Sequence, residues 1–120
     1  MFGFERLDVW QRSIKFAKRI YEITTGFPSD ERFGLTNQLR RAAVSISANL
    51  AEGSGRGTNP DFVRFIGMAF GSLMEVVSHI TIAKEQAYAL LLPCSCHALC
   101  SSFGLTLAIL CKGIGSLLHR

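Results

Sequence analysis

The chain has 120 residues, 48% of them hydrophobic, with three prolines and a net charge of +4. That length gives one domain with a sizeable core, and the composition is globular rather than disordered. The basic excess permits an anionic partner without demanding one.

The first segment places Leu7, Trp10, Ile14, Ala17 and Tyr21 at steps of three and four, the stripe of an amphipathic helix from about Glu5 to Thr25. Gly26 and Pro28 end it, because glycine suits the position after a helix and proline cannot continue one. A looser turn is expected from Ser29, and a second helix from Thr36 as N-cap. Its stripe runs through Leu39, Ala42, Ala43, Ile46, Asn49 and Leu50 to Gly53, and its many small residues allow a neighbour to come close. Ser45, Ser47 and Asn49 lie among these positions. They either bond to a preceding carbonyl or point to solvent, or Asn49 bonds across helices and sets their register.

Gly53 to Gly57 reads as a loop. It follows a helix and lacks the Gly-Lys-Ser/Thr ending of a phosphate loop, so it is a turn rather than a nucleotide cradle. Asn59, Pro60 and Asp61 then signal a helix start through a capping side chain, a proline in the first turn and an acid at the positive end of the dipole. Phe62, Phe65, Ile66, Ala69, Leu73, Val76, Val77, Ile80 and Ala83 carry the stripe toward Leu90. The helix is expected to span about 45 Å at ~1.5 Å per residue, so that its end overhangs, frays or bends.

After Pro93, Leu99, Phe103, Leu107, Leu110, Ile114 and Leu117 keep helical steps, interrupted by Gly104, Gly113 and Gly115. Residues 86–111 hold no Lys, Arg, Asp or Glu, but Pro93 and several serines break the run. A buried helix fits there better than a membrane span, which needs about 20 consecutive apolar residues. Four helices on short connections predict an all-α fold: an antiparallel up-down-up-down four-helix bundle, one domain over residues 1–120. The first residues lack a secretory pattern, and a cytoplasmic location is expected.

The chemical motifs are sparse. Cys94, Cys96, Cys100 and Cys111 crowd the last segment without two separated ligand pairs, and packed, reduced thiols are expected rather than a metal centre. No acid lies near His97 to build a nucleophilic site. No catalytic residue, cofactor or small-molecule substrate is assigned. Glu52 and Arg56 form an i,i+4 surface pair. Glu75 falls between core positions, where Arg40 or Arg41 would be its partner.

The cations are the functional candidates. Arg12, Lys15 and Arg19 follow i, i+3, i+7 spacing with Lys18 beside them. Arg40, Arg41, Arg56 and Arg64 extend the set, and such groups bind phosphate backbones by displacing condensed counterions. An ordinary solvated helix face has the same pattern, with Asp8 and Glu22 flanking it.

One group of motifs carries a resemblance. Leu7-Asp8-Val9-Trp10-Gln11, Phe27-Pro28, Glu31, Phe33-Gly34-Leu35, the run Gln38 to Ile46, and Ala48 to Gly53 with Arg56 occur in order, followed by Phe65, Ala69, Gly71-Ser72-Leu73 and Glu75. Over residues 4–86 this resembles the four-helix bundle family first associated with intervening sequences in bacterial 23S ribosomal RNA genes. Leu110 to Leu118 is similar to the family's ending, whereas the Cys-rich stretch before it departs from the pattern. The resemblance implies a ring-like homopentamer and kinship with the accessory variability protein of diversity-generating retroelements, a basic pentamer that engages a reverse transcriptase and RNA. The favoured expectation is therefore a homo-oligomeric, non-enzymatic, RNA-binding accessory protein, and the alternative is a protein–protein scaffold whose charges serve solubility.

Overall fold

A computed structural model describes residues 2–86 and residue 101. The described residues form three helices, α1 (Asp8–Thr25), α2 (Leu35–Ser54) and α3 (Asn59–Glu85), with 3₁₀ turns at Gly3–Arg6 and Ser29–Glu31. There is no strand among the described residues, so the all-α expectation holds there. The fourth helix expected from about Ser95 to Leu118 lies outside the described residues.

α2 is the central element. It packs along α3 on one side and α1 on the other, and the first 3₁₀ turn folds against α1 and α2. Its stripe is buried as its spacing predicts: Leu39 is 1% exposed, and Ala43, Ile46 and Leu50 are fully covered. Burying side chains of the size of Leu or Ile stabilises by about 1.5–3 kcal/mol each. Opposite them, Ile66, Ala69, Leu73, Val76, Ile80 and Ala83 of α3 are each at most 1% exposed. The close approach depends on small residues. A Cβ added at Gly53 would stand 2.5 Å from the Phe65 Cβ, a distance the two backbones can relieve only by moving apart.

The polar residue that crosses this interface is Ser45, whose hydroxyl makes a short hydrogen bond with that of Ser72. Asn49 instead donates to the Ser45 carbonyl (2.8 Å), and Ser47 donates to that of Val44 (2.9 Å). The bond to the preceding turn is thus the correct reading for Asn49, and register across the pair is marked by two serines.

α1 corrects the sequence reading. Its buried side is Val9, Ser13, Phe16, Ile20, Ile23 and Thr24. Of the expected stripe, Leu7, Trp10 and Ala17 pack at the core margin, whereas Ile14 and Tyr21 are 43% and 45% exposed. The helix carries two apolar stripes side by side, and α2 covers the one that includes Ser13. That hydroxyl is tolerable inside because it donates to the Trp10 carbonyl (2.6 Å).

Both caps are displaced by a residue or more from expectation. α2 begins at Leu35, and Thr36 is buried within its first turn rather than capping it. The Leu35 amide is met by the Glu31 carboxylate (2.9 Å), delivered by the 3₁₀ turn that starts at Ser29. α3 is capped by Thr58 rather than Asn59. The Thr58 Oγ1 accepts from the Asp61 amide (3.3 Å) and donates to the Asp61 carboxylate (2.9 Å). Gly57, at φ 81°, turns the chain into that cap in a region that L residues rarely adopt.

Candidate nucleic-acid interface

The seven candidate cations fall into separate places on this frame. Arg12, Lys15 and Arg19 lie along α1, with Lys18 beside them and no acid between Asp8 and Glu22. Lys15 and Lys18 are exposed and make no ion pair among the described residues. Arg12 is half-buried and engaged within the chain. Arg19 pairs with Glu22 at 3.1 Å, both side chains nearly half exposed.

Arg40 belongs to the fold rather than to a binding surface. Its Nε donates to Thr24 Oγ1 (2.8 Å), and its guanidinium stacks over the Tyr21 ring at 4.7 Å, tying α2 to the end of α1. Neither Arg40 nor Arg41 pairs with Glu75. That carboxylate is about half exposed and meets His79 one turn along α3, at 3.3 Å. Its position at the edge of the core stripe lets it reach water, so no burial penalty has to be offset. Arg41 is exposed and borders an open cleft of about 330 Å³ between α2 and α3, with Gln38, Ala42, Ser45 and Glu75 on its walls.

The structure brings Arg56 and Arg64 together, a grouping the sequence spacing does not announce. The buried Phe65 ring sits against Gly53, and the guanidiniums of Arg56 and Arg64 lie 5.0 and 5.8 Å from its centroid. Arg56 also pairs with Glu52 at 2.6 Å, as the i,i+4 spacing predicts. Both side chains there are about half exposed, so the pair contributes no more than roughly 0.5 kcal/mol. A phosphate can displace Glu52, or Glu22 from Arg19, at little loss.

Two clusters therefore present cations to solvent: a ridge on α1 and a pair of stacked arginines where α2 turns into α3. Arg40 leaves the candidate set. Among the described residues no group of three or more His, Cys, Asp or Glu is arranged to hold a metal. The cysteines lie outside the described residues.

Residues 5–90 match the family described as 23S rRNA-intervening sequence protein. The chain belongs to that family. The match takes in all three described helices and the loop carrying Arg56, and it stops short of the Cys-rich stretch. No curated protein matches the chain. Family membership agrees with the resemblance carried by the motifs from Leu7 to Glu75.

Proposed function

We propose that this 23S rRNA-intervening sequence protein is a non-enzymatic, homo-oligomeric RNA-binding accessory protein that contacts phosphates through the α1 ridge. The observation that carries the reading is the set of basic side chains from Arg12 to Arg19, a run with no acid in it and with Lys15 and Lys18 unengaged among the described residues. The family description, which ties these proteins to 23S rRNA intervening sequences, supports an RNA partner. Arg56, whose guanidinium lies over the Phe65 ring, adds a second contact point.

The finer architecture belongs to the same reading. Residues from about Ser95 to Leu118 supply a fourth antiparallel helix, and the subunits close into a ring of five, as the family resemblance implies. A reverse transcriptase is a further partner class on that ground, and the location is cytoplasmic. The test is fluorescence anisotropy with a labelled RNA at low salt, on the wild type and on R12A/K15A/R19A. Binding that the triple substitution abolishes supports the proposal. Absent binding, or binding the substitutions leave unchanged, contradicts it.

The scaffold reading is favoured by one observation, the exposed apolar side chains. Phe33 is 86% and Phe2 73% exposed, and Met68, Met74 and Ile82 of α3 lie between 43% and 48%. A pull-down that recovers one protein stoichiometrically after nuclease treatment would support the scaffold over RNA binding.

A further inference from the structure

α3 is apolar on more than one side. By length and composition it is the one described helix that would reach across a bilayer, although only 33% of its most apolar window is buried. Its core stripe, Phe65, Ile66, Ala69, Leu73, Val76, Ile80 and Ala83, is spent against α2 and the centre of the fold. At about 100° per residue, the strip on the far side runs through Gly67, Gly71, Met74, Ser78 and Ile82. All five are exposed, and the only charges that bound the strip at its ends are Arg64 and Glu85.

The glycines set this strip apart from ordinary surface. Glycine in a helix interior is unfavourable relative to alanine, and here nothing in the described fold requires it: a Cβ at Gly67 or Gly71 would meet no atom within 4 Å. Gly53, by contrast, is demanded by Phe65. What a bare backbone on an outer face does provide is room for a second helix to come close.

We propose that this strip docks antiparallel on the same strip of a second copy of the chain, about a twofold axis between Met74 and Glu75. The sequence is self-complementary in that register. Arg64 meets Glu85 of the second copy, Gly67 takes Ile82 of the second copy in the gap it leaves, and Gly71 faces Ser78 of the second copy. Each contact occurs twice, as an isologous interface requires. Charge decides the direction, since a parallel pair would set Arg64 against Arg64 and Glu85 against Glu85. It also decides the occupant. Residues 86–111 of the chain itself carry no charge to answer either end, and the charged residues beyond them, Lys112 and Arg120, are both basic.

Glu85 makes no ion pair among the described residues and is available for this contact. Arg64 then serves a subunit contact and leaves the nucleic-acid set. One helix pair is a small interface, so the association depends on concentration. A twofold contact pairs whatever particle other surfaces build, whether a single chain or a ring.

The experiment is multi-angle light scattering over a concentration series, without RNA, so that its outcome is independent of the RNA-binding reading. The wild type is expected to reach a particle twice the mass of Gly71→Arg, with circular dichroism showing equal helix content in both. Arg64→Glu alone and Glu85→Arg alone should also halve the mass, and the double substitution R64E/E85R should restore it. A wild type whose mass equals that of folded Gly71→Arg at every concentration would overturn the proposal. So would a charge swap that fails to restore the mass lost in the single variants.

Discussion

The two sides of α3 differ in what they ask of glycine. Toward α2, Gly53 faces Phe65 so closely that a single methyl group would collide at 2.5 Å, while on the outer side Gly67 and Gly71 face open space. The inner contact is a solved packing problem within one chain, with Ile46, Leu50, Leu73 and Val76 all fully buried. The outer strip is apolar and small without an intramolecular reason among the described residues. The same residue type thus marks a completed interface on one side and, on the other, the open strip proposed to meet a second copy, and the distinction comes from what surrounds the missing Cβ.

Substitutions sharpen this contrast. The largest effect is expected from Leu73→Ala, which empties the centre of the α2–α3 interface and should destabilise by about 3–5 kcal/mol in urea denaturation. A loss below about 1 kcal/mol would mean that the interface is not packed as described. Gly53→Ala comes next. The methyl group forces α2 and α3 apart, and overpacking of this kind costs about 1–3 kcal/mol. Gly71→Ala should act in the opposite sense and raise the stability of the dilute protein by about 0.5–1 kcal/mol, through helix propensity alone. If Gly53→Ala and Gly71→Ala shift the urea midpoint in the same direction, the comparison of the two sides fails.

The inner side was legible in the sequence because one apolar period dominates it. Every hydrophobic position of the α2 stripe from Leu39 to Leu50 is buried, and so is the α3 stripe from Phe65 to Ala83 except Val77, which packs at its margin. α1 was not legible in the same way. Two stripes of similar apolarity compete there, and periodicity cannot say that the one containing Ser13 goes inside, with Tyr21 left out to receive Arg40. The caps slipped because capping is a local contest: Thr58 with Asp61 wins over Asn59, and the Glu31 side chain takes the place assigned to Thr36.

The candidate site divides along the same line. Of the α1 cations, Lys15 and Lys18 are exposed, whereas Arg12 is half-buried and engaged within the chain and Arg19 pairs with Glu22. The fates of Arg40 and of the Arg56–Phe65–Arg64 group depend on contacts between elements and could not be read from spacing. Arg40, adjacent in sequence to Arg41, is committed to Thr24 and Tyr21, whereas Arg41 is exposed on the cleft. Neighbours in the sequence can thus differ completely in availability to a ligand.

The most direct test of the functional account is the salt dependence of RNA affinity. If Arg12, Lys15 and Arg19 each neutralise one phosphate, raising salt from about 50 to 200 mM should weaken their share of binding by roughly 20–40-fold. In R12A/K15A/R19A the slope of log affinity against log salt should flatten by about 2–3. Substitution of Arg40, which the fold consumes, should leave that slope unchanged. A wild-type slope near zero, or a triple variant whose slope equals that of the wild type, would contradict phosphate binding by the α1 ridge.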